Sequence, residues 1–398
     1  DVHKKHVTVA IRIAQGRKIR RELREYGTAT TELLKAADWL QGEKITHVVM
    51  ESTGPYWRPV WHVLEGMFEL TLANARTVKN IPGRKSDMKD AEWLADLFAH
   101  GLVRPSLVPE EPIQELRDLT RTRKQLQRER VRHVQRIHKI LEYANIKLAS
   151  VVSDVLGLSG RRMLVAIVNG ESDPERLATL GHFRLRASKE ELREALTGYV
   201  TEHHRFMLKL HLDHIDATDR AIQVVEARTE KCLEPFRGII KRLDTIPGID
   251  ETAAAAVVAE IGTDMSRFPT DGHLRSWAGL CPRLDESAGK TRSRRIRQGD
   301  RWLKAILVQA AWGAVRKKDG HFFAKFVRVR RRRGEKKALI AIAASMLTAA
   351  YHMIQNEHDF HELGADYLQR LDRDKAAQRL IRRLSDLGID VEIKDRAA

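Results

Sequence analysis

Residues 113–146 contain neither glycine nor proline, and this continuity limits the folds open to the chain more than any other feature. The apolar residues of the segment recur at the spacing that places them on one side of an α-helix, and arginine is dense at the remaining positions. The segment therefore predicts a long, basic, amphipathic helix. Such a helix needs a partner to cover its apolar side, and the helical run at residues 189–231 is the predicted partner in a coiled coil or helical hairpin.

Residues 7–75 alternate between strand and helix patterns. They begin with two strands joined by a tight turn at Gly16, and a helix, a strand, a helix and a strand follow. A hairpin followed by strand–helix–strand units predicts a mixed β-sheet covered by helices, and so an α/β domain at this end of a mostly helical chain. The predicted elements are, in order, residues 7–13, 18–25, 30–40, 45–51, 56–66 and 68–73.

Four acidic residues stand at the ends of these predicted elements. Asp1 precedes the first strand, and Glu51 ends the strand before Ser-Thr-Gly-Pro. Asp87 and Asp90 are three positions apart in a helix pattern capped by Ser86, so a helix would place both on one face. Carboxylates at strand ends and on an adjacent helix are typical of a Mg²⁺ site that acts on a phosphodiester. The alternative is that Asp87 and Asp90 only cap the helix, because negative charges in the first turn interact favourably with the helix dipole.

Residues 243–262 predict two helices joined by a tight turn at Pro247 and Gly248. The pattern is typical of a helix-hairpin-helix, in which a glycine turn lets backbone N–H groups approach a phosphate without obstruction by side chains. Gly248 is therefore a candidate for contact with nucleic acid. An ordinary turn between two helices is the alternative.

Ser287 lies in a polar segment that contains glycine and is followed at once by basic residues. A serine can attack phosphorus when its hydroxyl is deprotonated or polarised by a metal and when nearby cations stabilise the developing charge. Ser293 competes for the same role, and a loop serine without a catalytic role is the simpler alternative. The basic residues are Lys290, Arg292, Arg294, Arg295 and Arg297.

Lysine and arginine total 71 against 54 acidic residues, so the formal net charge is +17. This excess favours a polyanionic partner, because basic side chains that neutralise phosphates release counterions. The alternative for each basic segment is a solvated surface. The residues predicted to contact nucleic acid are Arg117, Arg121, Arg128, Gly248, Lys290, Arg292, Arg294, Arg295, Arg330 and Arg331.

The chain has 2 cysteines, too few for a disulfide framework or a four-cysteine zinc site, which favours a reduced, cytoplasmic setting. Residues 338–354 are apolar, but the run is short for a membrane span and contains Ser345, Thr348 and His352. A buried helix is predicted there, and no membrane partner is expected. The predicted domains are residues 1–107, 108–235 and 236–358, followed by a charged helical tail at residues 359–398.

Several motifs occur in two blocks. The N-terminal block contains Asp1-Val-His-Lys, Glu51-Ser-Thr-Gly-Pro-Tyr-Trp and Lys85-Ser-Asp-Met-Lys-Asp-Ala-Glu-Trp. The C-terminal block contains Leu243-Asp-Thr-Ile-Pro-Gly-Ile, Trp277-Ala-Gly-Leu-Cys-Pro and Glu286-Ser-Ala-Gly-Lys. In content and order the blocks resemble the DEDD transposases of the insertion-sequence 110 family. The chain departs from the family in two places: it begins at the family's first Asp, ahead of which a strand usually starts, and Asp250 stands where glycine is frequent.

The resemblance implies a RuvC/ribonuclease-H-like N-terminal domain in which Asp1, Glu51, Asp87 and Asp90 hold Mg²⁺ or Mn²⁺. It implies a long coiled coil and then a helical domain in which Ser287 is the nucleophile that attacks DNA. It also implies that the two halves meet across the subunits of a dimer or tetramer. A structured guide RNA from the element would pair with donor and target DNA, at the nucleoid in the cytoplasm of a bacterial or archaeal cell.

Two other functions are open. A structure-specific DNA endonuclease of the RuvC type would use the same four acidic residues with metal-activated water and would not need Ser287. A non-catalytic nucleic-acid-binding or scaffold protein would use the basic surface alone. A covalent protein–DNA adduct distinguishes the transposase from the endonuclease, and Mg²⁺-dependent cleavage distinguishes both from the binding protein.

Overall fold

The structure is a computed structural model, and it describes residues 1–52, 54–74, 90–103, 105–282, 285–287, 290–293, 295–296 and 298–387. The chain divides into two compact units, Asp1–Pro109 and Glu110–Ala398. The first unit combines short strands with helices, and the second is mostly helical, so the fold is mixed α/β followed by α. The division of the second unit into smaller domains stays a prediction.

The elements of the first unit follow the order expected from the sequence. Its core is formed by apolar residues of both strand pairs and of the helices that cover them, among them Val7, Leu33, Met50 and Leu72. Gly16 adopts a φ of 59° at the turn of the first hairpin, a conformation that glycine accepts without strain. The elements are β1 (His6–Gln15), β2 (Lys18–Gly27), α1 (Thr30–Gly42), β3 (His47–Glu51), α2 (Trp57–Leu64), β4 (Glu69–Ala73) and α3 (Asp90–Ala99).

The expected single mixed sheet is not formed by the described residues. β1 pairs antiparallel with β2, and β3 pairs parallel with β4, in two separate sheets. A groove of about 820 Å³ is lined by β1, β3, α1 and α3, because no strand joins β1 to β3 in the described part of the chain. Val2 pairs with Val7 on β1. The RuvC/ribonuclease-H-like topology therefore stays a prediction.

A long helical hairpin organises the second unit. α4 (Glu111–Tyr143) confirms the helix predicted from the stretch without glycine or proline, and it packs along α9 (Glu202–Leu233). Between them lies a small helical insert that shares an apolar core with both long helices, and this core includes Leu164 and Leu177 of the insert and Leu208 of α9. The insert consists of α5 (Leu148–Val151), α6 (Leu158–Val168), α7 (Pro174–Thr179) and α8 (Lys189–Leu196).

The helical run predicted at residues 189–231 is divided into α8 and α9, and α9 packs along α4 as predicted. The chain leaves the helix after α8 and begins α9 at Glu202, with the side chain of Thr201 accepting from the backbone N–H of His204. Gly198 lies in the break, where a Cβ atom would stand 2.4 Å from the carbonyl oxygen of Ala144. The break is therefore fixed by contact with the end of α4, which the local pattern does not contain.

The rest of the second unit is a helical assembly with one short β-hairpin. The apolar run at residues 338–354 lies in a helix that is long and apolar enough to cross a membrane, but 56% of its most apolar 18-residue stretch is buried inside the protein, as expected of a core helix. The elements are α10 (Arg237–Asp244), α11 (Glu251–Ile261), α12 (Asp271–Trp277), β5 (Asp285–Ser287), β6 (Lys290–Ser293), α13 (Arg301–Ala314), α14 (His321–Arg333), α15 (Glu335–Asn356) and α16 (Tyr367–Ser385), with short 3-10 turns at Glu234–Phe236 and Met265–Arg267.

Candidate functional site

Asp1 lies beside the start of β1. Its amino group donates to the carbonyl oxygen of Thr8 at 2.8 Å, and the N–H of Thr8 donates to the carbonyl oxygen of Asp1 at 2.9 Å. The side chain of Asp1 lies 2.9 Å from Nε2 of His3, measured from Oδ2. The backbone of Asp1 is thus held in an extended pairing, and its carboxylate has a histidine as an immediate neighbour.

Glu51 and Asp90 lie close enough to Asp1 to interact with it electrostatically. Burial lowers the pKa of the Asp1 amino group to about 6, and the negative charges of Glu51 and Asp90 act in the opposite direction. Glu51 is the last residue of β3 and Asp90 the first of α3. Three of the four predicted acidic residues therefore share one region of the first unit, while Asp87 and its predicted cap Ser86 lie outside the described residues.

The donor chemistry of this region suits a hard cation, because carboxylate oxygens are the ligands that Mg²⁺ and Mn²⁺ take. The geometry of the described residues does not complete such a site: among them, no three His, Cys, Asp or Glu side chains are arranged to hold a metal ion. Asp1, Glu51 and Asp90 thus do not by themselves form a closed metal centre.

α3, which carries Asp90, is attached to the first hairpin through Asp96. The carboxylate of Asp96 accepts from Nε of Arg12 at 2.8 Å and from Nη2 of Arg21 at 3.1 Å. Burial raises the pKa of Asp96, but the hydrogen bonds from Arg21 and Arg12 outweigh it and hold the pKa below its usual value. Asp96 therefore fixes the helix on which Asp90 stands. Its neighbours Arg12 and Arg21 come from two strands far away in sequence, so local spacing gave no signal for it.

Ser287 ends β5 and does not lie in an open loop as the sequence suggested. β5 and β6 form an antiparallel hairpin in which Ser287 is opposite Lys290, with an irregularity in the register between Asp285 and Glu286. The side chain of Lys290 is exposed. The hairpin thus places one cationic residue directly across from the candidate nucleophile.

The base of the serine hairpin is anchored to the helical assembly. Pro282 pairs with Ile296 below the hairpin. A Cβ atom on Gly299 would stand 2.3 Å from the backbone nitrogen of Gly279, so only glycine allows this approach. Asp300 then caps α13. The segment that follows β6 is therefore held against the helical assembly by tight backbone contacts, and these contacts fix the base of the hairpin.

Of the basic residues predicted near Ser287, Arg295 is exposed, and its N–H donates to Oγ of Ser293 at 3.3 Å. Arg292 belongs to β6 and lies at the irregularity of the hairpin, between the paired residues Thr291 and Ser293. Arg294 and Arg297 lie outside the described residues. The hydroxyl oxygen of Ser293, the alternative nucleophile, thus accepts a hydrogen bond from the backbone just after its own strand.

The two predicted helices and their tight turn are present as α10, the turn at Gly248 and α11, and their assignment as a helix-hairpin-helix stays a prediction. Gly248 adopts a φ of 87°, and a Cβ atom there would stand 2.3 Å from the carbonyl oxygen of Ala310 on α13. Asp250 caps α11 by accepting from the N–H of Ala253 at 2.7 Å. Close packing against α13 thus explains why position 248 requires glycine. Contact of Gly248 with nucleic acid stays a prediction.

Arg117 and Arg121 point into the protein. Arg117 donates to the carbonyl oxygens of Ala259 and Glu260, and Arg121 donates two hydrogen bonds to the carboxylate of Glu260 and one to Asp300. Burial raises the pKa of Glu260, partly offset by Arg121. Both arginines therefore have internal partners. Sequence reasoning missed Glu260, although a glutamate inside the apolar run of α11 is a signal for a buried ion pair.

The predicted arginines on α4 and α14 other than Arg117 and Arg121 lie on the surface. The guanidinium of Arg128 lies 4.9 Å from the ring centroid of Trp302, and that of Arg330 lies 5.4 Å from the ring centroid of Phe326. Arg331 is exposed at the basic end of α14. These side chains are open to a polyanion.

Two family models match the chain. A model of DEDD transposases of the IS110 group, described as "Transposase", matches residues 1–146, and one described as "Transposase IS116/IS110/IS902 family" matches residues 240–327. Together they cover more than half of the chain and include all five candidate catalytic residues. The long helix α4 is inside the first match, whereas most of the helical insert and α9 lie outside both.

The chain is also similar to two curated proteins, the pilin gene-inverting proteins of Moraxella bovis and Moraxella lacunata. Each is 30% identical over 185 residues, which is 45% of this chain and 55% of the relative. The chain thus spans about half the length of these relatives. On the two matched segments and their order, the chain belongs to the IS110 family of DEDD transposases.

Proposed function

We propose that the protein is a DNA transposase or recombinase that cuts and rejoins DNA strands with Ser287 as nucleophile. The observation that carries the proposal is the presence, in one chain, of both family segments, one with the acidic residues and one with the serine hairpin. The names of the two Moraxella relatives, which describe inversion of a pilin gene, support a recombination reaction.

In the proposed reaction, Oγ of Ser287 forms a bond to the scissile phosphorus while the bond from phosphorus to the leaving deoxyribose oxygen breaks. The serine proton is released to solvent, and the leaving oxygen takes up a proton. Because a phosphoserine ester replaces the phosphodiester, a second strand end can attack it and restore a DNA linkage without an external energy source.

Lys290 is the cation that the hairpin places opposite Ser287. In the proposal its exposed ammonium group orients the phosphate and stabilises the negative charge that develops on the phosphorane oxygens. Asp1, Glu51, Asp87 and Asp90 are the proposed ligands of Mg²⁺ or Mn²⁺, which when bound would act as a Lewis acid on a phosphoryl oxygen.

The proposal includes the partners that the family resemblance implies. These are donor and target DNA, a structured guide RNA, and further copies of the same chain in a dimer or tetramer. The reaction would take place in the cytoplasm, on DNA of the nucleoid. Exposed arginines such as Arg330 and Arg331 would contribute non-specific attraction to the DNA.

The test is a Ser287→Ala variant, with Ser293→Ala as the matched control in the same hairpin. Each is incubated with Mg²⁺, a plasmid that carries the DNA flanking the gene, and RNA transcribed from that flank. Cleavage and covalent protein–DNA adducts are measured on denaturing gels. We expect the Ser287→Ala variant to lose both while the control keeps them. Cleavage by Ser287→Ala without an adduct would establish the water-dependent endonuclease instead.

A further inference from the structure

The basic residues of α4 divide into two groups by their partners. Residues 121–139 contain eight lysines and arginines and a single acidic residue, Glu129. Three of the eight are used inside the second unit: Arg121 binds Glu260, Arg123 binds Glu226 on α9 at 2.7 Å, and Arg130 binds Asp219 on α9 at 2.6 Å. The other five have no acidic partner among the described residues. They are Lys124, Arg128, Arg132, Arg136 and Lys139.

These five residues, called here the α4 stripe, lie on one side of the helix. At about 100° per residue, their positions fall within an arc of about 120° around the helix axis. Lys124, Arg128, Arg132 and Arg136 follow one another at intervals of four residues, or about 6 Å along the axis, and Lys139 extends the stripe to about 22 Å.

The stripe faces away from the partner helix. The buried side of α4 carries Leu116, Ile137 and Leu141, and the residues that pair with α9 lie on that same side. Arg128, Arg132, Arg136 and Lys139 are exposed and Lys124 is half-buried. Within residues 121–139 the single acidic residue, Glu129, stands at the edge of the arc, while Glu226 and Glu230 of α9 line the same cavity as Lys124. Four of the five stripe residues therefore form a line of cations open to solvent, and Lys124 continues this line into the cavity.

An aromatic residue stands at each end of the stripe. Arg128 lies over the ring of Trp302, beside a cavity of about 550 Å³ that Lys124 and Gln127 also line. At the other end, Nζ of Lys139 lies 5.4 Å from the ring centroid of Tyr143, which is 67% exposed. Trp302 is buried and holds Arg128 in place, whereas Tyr143 is an exposed ring beside a cation, which suits stacking against a nucleobase.

We propose that the α4 stripe binds the phosphodiester backbone of DNA, with the strand running along the helix axis. A regular line of unpaired cations matches a polymer with one charge per repeat better than a compact anion. Each stripe residue that meets a phosphate releases counterions, and binding then depends steeply on salt. The inference adds to the proposed function, since DNA is the partner in both, but its test measures binding and not cleavage.

The test compares two variants that lose the same charge. The first changes Lys124, Arg128, Arg132 and Arg136 to Gln, which keeps a good helix former at each position. The control changes four exposed cations of α9 to Gln. Two of them, Lys209 and Arg228, form surface ion pairs, and the loss of such pairs changes stability little. Far-ultraviolet circular dichroism and thermal unfolding confirm that both fold. The control residues are Lys209, Arg220, Arg228 and Lys231.

The measurement is the slope of log binding constant against log salt concentration, for the full-length protein and duplex DNA. Each phosphate contact contributes about 0.9 to the magnitude of the slope. If each of the four substituted residues contacts one phosphate, the slope of the stripe variant should be smaller in magnitude by about 3.6, while the control variant should keep the slope of the parent. Equal slopes for the two variants would overturn the proposal. If the stripe variant loses affinity for a structured RNA but not for DNA, the assignment to DNA is wrong. A Ser287→Ala variant should keep the full slope, so failure of the catalytic proposal is recognised separately.

Discussion

The carboxylate of Glu260 accepts hydrogen bonds from Nε and Nη2 of Arg121 at 2.8 Å and 2.7 Å, and its side chain is 2% exposed. The pair connects α4 to α11, and Asp300 at the start of α13 accepts a third hydrogen bond from Arg121 at 3.2 Å. One arginine of the long helix therefore joins three helices of the second unit. The local fold behind the serine hairpin depends on this ion pair.

Removing one partner of this pair should be costly. In a Glu260→Ala variant, Arg117 and Arg121 remain partly buried near each other without the carboxylate, and the free energy of unfolding should fall by about 3 kcal/mol. Denaturant unfolding of the second unit measures it. Replacing Glu260 and Arg121 together by Met should recover part of the loss, since Arg121 is removed with its partner, Arg117 keeps its bonds to the carbonyl oxygens of residues 259 and 260, and Asp300 still caps α13. A Glu260→Ala variant as stable as the parent would show that the pair has no structural role.

The turn at Gly248 gives a prediction with a matched control. Gly248 and Gly334 have similar φ angles of 87° and 81°, but only Gly248 has backbone atoms of another helix within reach of a Cβ atom. Gly334→Ala should therefore cost about 1–3 kcal/mol, the strain of a side chain at positive φ and extended ψ alone. Gly248→Ala should cost at least about 2 kcal/mol more, because α13 must also move. Equal thermal shifts for the two variants would contradict the observed packing.

The long helix could be predicted from sequence because residues 113–146 carry all the information locally: an apolar side, no glycine and no proline. The break before α9 could not, because Gly198 is required by contact with Ala144, and that contact is created by the fold. In the same way, Arg117 and Arg121 looked like surface residues until their partner Glu260, far away in sequence, was brought beside them. Asp87 and the metal ligation remain predictions.

Asp96 is expected to stabilise the first unit in a pH-dependent way. The hydrogen bonds from Arg21 and Arg12 lower its pKa in the folded state, so its contribution is present above the unfolded value of about 3.8 and is lost as pH falls through the folded value. Asp96→Asn should cost about 1 kcal/mol at neutral pH, discounted for partial exposure. Unfolding of the variant and the parent is followed from pH 7 into acid, and the two curves should begin to approach each other only below about pH 3.8.

The matched control for Asp96 is Glu22, whose carboxylate accepts from Arg20 and Arg24 on the surface of the same strand. Glu22→Gln should change stability less than Asp96→Asn, since water replaces its partners. If both changes cost the same, the contacts of Asp96 do not hold α3 to the hairpin. Cleavage by Asp96→Asn should also fall, because Asp90 stands on the loosened helix.

The seam between α4 and α9 should weaken in mild acid. His133 on α4 stacks on His214 of α9, and its Nδ1 lies 3.2 Å from Nδ1 of His211. Burial, reinforced by the neighbouring histidines and Arg136, lowers the pKa of His133 and of His211; Glu129 opposes it at His133. The unfolded chain therefore binds more protons, and stability falls as pH drops below about 6.5.

The thermal midpoint measured between pH 8 and pH 5 should fall with a steeper pH dependence in the parent than in a His133→Gln variant. His203→Gln, at an exposed position at the start of α9, is the control and should keep the parent's dependence. The contribution of His321, whose pKa is also lowered by burial, is the same in all three proteins. Parallel curves for the parent and His133→Gln would show that the seam does not sense pH.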